Sequence, residues 1–124
     1  MAPSPDDIRK TVSKYIEAVA KGTVDDVLAL YADGAVVEDP VGTEPRTTTE
    51  SIREFYGVIE PLQQEGELRT LRIADNEAAF HFSLVTTLGD NSMEIAPIDV
   101  MTFDDDGKIL TMRAYWSQDD MVTR

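Results

Sequence analysis

Two short stretches set carboxylates into apolar surroundings. In "VEDPVG", residues 37–42, Glu38 and Asp39 end an apolar run and a proline follows at once. Pro40 biases Asp39 towards an extended backbone. Neighbouring side chains on an extended segment point to opposite sides, so the two acids need not share a role. An ionised Asp39 that enters a cavity is an acceptor able to abstract a proton. Equally, "EDP" reads as an ordinary turn. The second stretch is "EIAPIDVMTF", where Asp99 sits between Ile98 and Val100. Strand alternation puts Ile95, Pro97, Asp99, Met101 and Phe103 on one face, which is mostly apolar. A carboxyl buried there without a partner keeps its proton, because desolvation penalises the charged form. A protonated acid can donate a hydrogen bond. The alternative is an Asp99 that faces water at a sheet edge or is paired.

Tyrosines extend the set. Tyr15 lies on an apolar helix face beside Ile16. Buried, its hydroxyl needs a partner and could donate to a substrate oxygen; the plainer reading is core with the hydroxyl in water. Tyr31 and Tyr56 are placed on the second and third helices. With Tyr15 they could form a chain of hydroxyls that lowers the cost of negative charge on a substrate oxygen, although each alone also reads as aromatic core. Phe80 and Phe82 share one strand face, and Leu110, Met112, Ala114 and Trp116 share another. Either set is pocket wall or core. His81, the sole histidine, should point away from the face of its phenylalanine neighbours. A histidine-based nucleophilic or metal centre is therefore not expected. "DDDG", residues 104–107, lacks the spacing of a calcium loop and reads as a hairpin turn. The absence of cysteine excludes disulfides, thiolate nucleophiles and zinc–thiolate sites.

The elements that must position these residues follow from pattern. "SPDDIRKTVSKYIEAVAKG" reads as a helix capped by Ser4, with Pro5 in the first turn and Asp6 and Asp7 at the positive end. Ile8, Val12, Tyr15, Ile16 and Val19 mark its buried face, and Gly22 ends it. "TVDDVLALYADG" reads as a second short helix, with Thr23 and Asp26 as a cap pair. "AVVEDP" reads as a short extended segment. "TTESIREFYGVIEPL" reads as a third helix, inward at Ile52, Phe55, Tyr56 and Ile59 and limited by Pro61. Four strands follow: "GELRTLRIA", "EAAFHFSLVTTL", "SMEIAPIDVMTF" and "KILTMRAYW". Three helices and then four longer strands predict an α+β domain, with helices on one face of a curved antiparallel sheet.

The 124 residues suit one domain, taken as 1–124, with no repeat, low-complexity stretch or linker. Acidic residues number 24 against 11 basic ones, a net charge of −13. That excess argues against nucleic acid and anionic membrane as partners, because phosphate binding needs basic stripes. The polar start "MAPSPDDIRK" is unlike a secretory signal, and no apolar run approaches a membrane span. The expectation is a soluble, cytoplasmic protein.

In order along the chain, "KYIEAV", "ALYADGAVVEDPVGTEPR", "IREFY", "NEAAF", "APIDVMTF" and "MRAYW" resemble the Δ5-3-ketosteroid isomerases. The resemblance covers nearly the whole chain and keeps the family's spacing. It implies the cone-shaped fold of nuclear transport factor 2 around a deep apolar cavity, and a homodimer built through the sheets. It also implies a cofactor-free reaction on an apolar steroid, in which the 5,6 double bond moves to the 4,5 position. Asp39 then stands at the general base, Tyr15 at the oxyanion-hole tyrosine and Asp99 at the protonated oxyanion-hole acid. Tyr31 and Tyr56 stand at the supporting tyrosine network, and Trp116 at an aromatic pocket position. Phe80, Phe82, Val100, Met112 and Ala114 are further lining residues. "EPLQQEG" and the C-terminal "SQDDMVTR" carry no family signal.

Two rival functions share the fold. One is a lyase, cyclase or epoxide hydrolase, needing a His–Asp pair or an Asp–Arg–Asp set in the cavity. His81 turned away and Arg113 alternating out of the Met112–Ala114 face both weigh against it. The other is a non-catalytic module holding an apolar ligand, for which Asp39 would be dispensable.

Overall fold

The first helix forms as its sequence dictates. The side chain of Ser4 accepts from the Asp7 N–H at 3.1 Å, and α1 (Pro5–Lys21) runs to Gly22, whose N–H caps the carbonyl of Ala18. In the computed structural model, residues 3–62 and 64–123 are described. Gln63 and Arg124, within the two stretches without family signal, lie outside the described residues, as do Met1 and Ala2 of the polar start. Thr23 caps α2 (Val24–Leu28) through a reciprocal pair with Asp26. This short helix stops before it reaches Tyr31. By Leu30 the backbone has joined the sheet, where its carbonyl accepts from the Ile109 N–H at 2.9 Å. Tyr31 is consequently the first residue of β1 (Tyr31–Glu38), not a helical residue. Pairing with a strand nearly eighty residues away outweighs a weak local helical preference. The third helix, α3 (Thr49–Ile59), is capped by Thr48 and buries Ile52 and Tyr56.

β3 (Glu77–Leu88) is the spine of the sheet. β2 (Gln64–Ala74) pairs antiparallel with it along one edge. Along the other edge lie β5 (Ile98–Phe103), opposite residues 77–81, and β4 (Asn91–Ile95), opposite residues 84–88. The sequence predicts one strand here. Pro97 has no N–H to give to the ladder, and the strand divides on either side of it. β6 (Ile109–Tyr115) pairs antiparallel with β5 and parallel with β1. "DDDG" makes the β5–β6 turn, with Gly107 at φ 82°. The C-terminal segment, given no role from sequence, makes a 3-10 turn (Gln118–Asp120) and β7 (Met121–Thr123), which pairs with β4. The expected α+β arrangement of three helices on a curved, open sheet is borne out.

The helices lie over the concave side. α1 closes on β2 at Gly66, where an added Cβ would meet Ile16 Cγ2 at 2.8 Å. Ile8 and Val12 of α1 are fully buried, as are Val37, Met101, Ile109 and Met112. These fill one end of the cone. Further along α1, Tyr15 and Val19 border a cavity instead. Among the described residues no helix is long and apolar enough to cross a membrane.

Candidate active site

Asp39 follows the last residue of β1, with a cis peptide bond to Pro40. The loop beyond is pinned on both sides. Val41 N–H donates to Ala114 O at 2.8 Å, and Val37 and Arg46 exchange backbone hydrogen bonds of 2.9 and 2.7 Å. The two adjacent acids diverge, as alternation requires. Glu38 accepts from the Gly42 N–H and from Arg113 Nε, each at 3.0 Å, and these bonds hold its pKa below the ordinary value. Asp39 turns the other way, and its Oδ1 accepts from Trp116 Nε1 at 2.8 Å. Burial raises the Asp39 pKa; the Trp116 hydrogen bond and the nearby Arg46 guanidinium oppose that rise.

Asp99 sits mid-strand on β5, level with Phe80 on β3 and Ala114 on β6. It is 1% exposed, on the same face as Pro97, Met101 and Phe103, and Ile98 faces outward. Its Oδ1 has no hydrogen-bond partner among the described residues. Burial, and secondly the charge of Asp39, push its pKa well above the ordinary aspartate value. The pattern in "APIDVM" thus produces a buried acid whose environment favours the protonated form.

The tyrosines form a chain. Tyr15 Oη lies 2.9 Å from Tyr56 Oη, which lies 2.7 Å from Tyr31 Oη. All three side chains are buried, and desolvation raises all three pKa values well above the ordinary one. At Tyr15 the hydrogen bond shared with Tyr56 works against that rise. Tyr15 also packs edge-on to Phe80, with ring centroids 6.4 Å apart.

One cavity of about 180 Å³ joins these groups. Tyr15, Asp39, Tyr56, Asp99 and Trp116 all border it, and Phe82, Leu84 and Pro97 are among its apolar walls. Tyr15, Tyr56, Phe82 and Asp99 are buried, whereas Phe55, Ile59, Ile95 and Trp116 are half-buried and mark its mouth. Larger concavities on the outside of α1 run among Lys14, Glu17, Lys21 and Asp26 and are solvated, charged grooves.

Several expected lining residues stand elsewhere. Val100 is on the opposite strand face from Asp99, so its side chain points away from the cavity. Phe80, Met112 and Ala114 are buried, but behind the lining. Phe80 braces Tyr15 and Phe82 rather than offering a surface of its own. Tyr31 reaches the site only through Tyr56. His81 alternates out of the Phe80–Phe82 face, and Arg113 is paired with Glu38. Sequence reasoning did not assign Val19, Phe55, Ile59, Leu84, Ile95 or Pro97 to the cavity wall, and it missed two polar residues. Arg46 stacks over Phe55 at 4.3 Å and donates to the Asp39 carbonyl at 3.5 Å, not to its carboxylate. Gln64 borders the cavity from the start of β2. "EPLQQEG" held no periodic signal that separates Gln64 from its polar neighbours. Among the described residues no group of three His, Cys, Asp or Glu side chains is placed to hold a metal ion.

A cone of three helices over a curved open sheet, with a donor-lined apolar cavity, defines a nuclear transport factor 2-like protein. The chain belongs to the SnoaL-like domain family, which matches residues 12–112. A steroid Delta-isomerase of Nocardioides simplex is 42% identical over 116 residues, covering 94% of each chain. That relative bears out the resemblance read from the sequence. Solved structures that share the fold include the following three. The Δ5-3-ketosteroid isomerase from Mycobacterium sp. has a TM-score of 0.83 at 24% identity, over 95% of this chain and 98% of that one. The epoxide hydrolase/cyclase-like enzyme SalBIII, with a role in pyran ring formation in salinomycin, has a TM-score of 0.85 at 24% identity, over 94% and 95%. RV0760c from Mycobacterium tuberculosis has a TM-score of 0.87 at 20% identity, over 98% and 99%. Neighbours with different chemistries on one fold leave function to the site.

Proposed function

We propose that this protein isomerises Δ5-3-ketosteroids to their conjugated Δ4 forms by moving a proton from C4 to C6. The observation that carries this reading is the meeting of Asp39, Tyr15 and Asp99 at one apolar cavity. Asp39 is the base. It takes the C4 proton, which leaves a dienolate with negative charge on the C3 oxygen, and returns the proton to C6. Tyr15 and neutral Asp99 donate to that oxygen. Fixed donors in a dry site stabilise developing charge more than water does, because they need no reorganisation. One acid must be ionised while the other stays neutral. The environments support that separation: the Trp116 hydrogen bond and Arg46 favour charge on Asp39, and nothing comparable faces Asp99. Ketosteroid isomerases are themselves the standard worked case of two acids set apart in this way.

Proton counting orients the tyrosine chain. Each hydroxyl has one proton to give. If Tyr15 donates to the substrate, Tyr56 must donate to Tyr15, and Tyr31 must donate to Tyr56. Charge on the substrate oxygen is then spread over three aligned O–H dipoles. Among the neighbouring chemistries, those that need a His–Asp pair find His81 on the wrong face. We also infer a homodimer through the outer sheet face, where Ile98 and Tyr115 are 48% and 44% exposed. Sedimentation equilibrium checks this; a monomer at micromolar concentration would reject it.

The reaction is tested by ultraviolet absorbance with 5-androstene-3,17-dione, using Asp39→Asn as control. The conjugated-enone band should grow with the wild type. The variant should lose at least about a hundredfold in rate and still bind a phenolic steroid. Turnover surviving in Asp39→Asn would remove Asp39 as the base. No turnover by the wild type would reject the isomerase reading.

A further inference from the structure

Among the described residues, two buried side-chain polar atoms have no hydrogen-bond partner: Asp99 Oδ1 and Gln64 Oε1. Both residues border the same cavity. The mechanism above gives the first a ligand atom to meet and leaves the second unexplained. A buried amide oxygen without a partner is costly, and the groups around it here are mostly apolar. Leucine at position 64 would spare that cost.

The position of Gln64 is fixed by the sheet. It opens β2 opposite Thr86 of β3, and its Nε2 donates to Thr86 Oγ1 at 3.0 Å. Asp99 is level with Phe80, six residues back along β3. Side chains two apart share a face, so Phe82 and Leu84 lie between the two polar atoms along the wall. Gln64 is 8% exposed. The anchor to Thr86 uses one of the amide's two N–H hydrogens and turns its oxygen, which has no partner, to the other side.

We propose that Gln64 is a specificity residue that accepts a hydrogen bond from a hydroxyl on the ligand, at the end remote from the ketone held by Tyr15 and Asp99. Thr86 is its positioning residue. This rests on the steroid reading for the ligand's orientation. It names the preferred substrate class as ring systems hydroxylated at the far end, over those bearing a ketone or a hydrogen there. Were the amide turned over, Thr86 would donate to Oε1, the free N–H would face the ligand, and a ketone would be favoured instead.

Three phenolic steroids separate these cases: 17β-estradiol with a far hydroxyl, estrone with a far ketone, and 17-deoxyestradiol with neither. Their dissociation constants are measured by titration calorimetry against the wild type and Gln64→Leu. Estradiol should bind the wild type about tenfold more tightly than the deoxy compound, the effect of one neutral hydrogen bond in a buried site. In Gln64→Leu that ratio should fall close to one. A purely structural role would weaken all three alike and keep the ratio, which overturns the proposal. A wild-type preference for estrone, or equal binding of all three, also overturns it and leaves the isomerase reading intact. Binding of none of them rejects both. Should the leucine variant fail to fold, the wild-type ratios alone decide.

Discussion

Replacing Asp99 by asparagine keeps the shape of the side chain and removes its ionisation. Asp99 is 1% exposed, and burial holds its pKa well above the usual carboxylate value. In the unfolded chain an aspartate ionises near ~3.9. Between that pH and the folded pKa, the native state carries a proton that the unfolded state lacks. The stability that Asp99 contributes is therefore fully present below the unfolded pKa and is lost as pH rises towards the folded one. The slope is about 1.4 kcal/mol per pH unit for a single group. Asp99→Asn has no such slope. Its own amide adds an offset of about 1–3 kcal/mol if a donor is left unpaired, but that offset does not depend on pH. Urea unfolding, followed by fluorescence of the single tryptophan Trp116, gives both stabilities at one protein concentration from pH 5 upward. The variant should gain on the wild type by about 1.4 kcal/mol for each unit, then level off where native Asp99 ionises. A stability difference flat from pH 5 to pH 7 would mean that Asp99 is charged in the folded protein. It could not then donate to a substrate oxygen, and the oxyanion site would need a different second donor.

Trp116→Phe removes the hydrogen bond that opposes the desolvation of Asp39. The Asp39 pKa rises, so the acid limb of kcat/KM against pH should move to higher pH; an unmoved limb would show that the indole only fills space. Tyr31→Phe removes the last donor of the hydroxyl chain but leaves the Tyr15–Tyr56 bond. It should cost a few-fold in kcat, against roughly a hundredfold or more for Tyr15→Phe. Equal losses would reject the donor order Tyr31 to Tyr56 to Tyr15. Gly66→Val forces a Cβ to within 2.8 Å of Ile16 Cγ2. It should destabilise by about 1–3 kcal/mol, at roughly 4 °C of Tm per kcal/mol. An unchanged Tm by scanning calorimetry would show that α1 shifts on β2 without cost.

What the sequence by itself determined is local. The Ser4 cap, the buried stripe from Ile8 to Val19 and the glycine stop define α1, because each signal acts within one or two turns. Alternation within "APIDVM" placed Asp99 on an apolar face, and alternation within "VED" parted Glu38 from Asp39. Both follow from the period of a strand and need no partner. The order of motifs carried the resemblance and, through it, the candidate base and donors. The tertiary structure decided everything that depends on pairing at a distance. β6 took Tyr31 into a strand, and the ladder to β3 showed the break at Pro97. The depth of the helices over the sheet left Tyr15 and Phe82 on the cavity and put Phe80, Met112 and Ala114 behind it. Trp116 meets Asp39 from 77 residues away. Gln64, one polar residue in a polar stretch, becomes a buried unpartnered acceptor only when β2 lies against β3. Residue type and period fix a side chain's face, but what that face meets is set by elements the local rules do not reach.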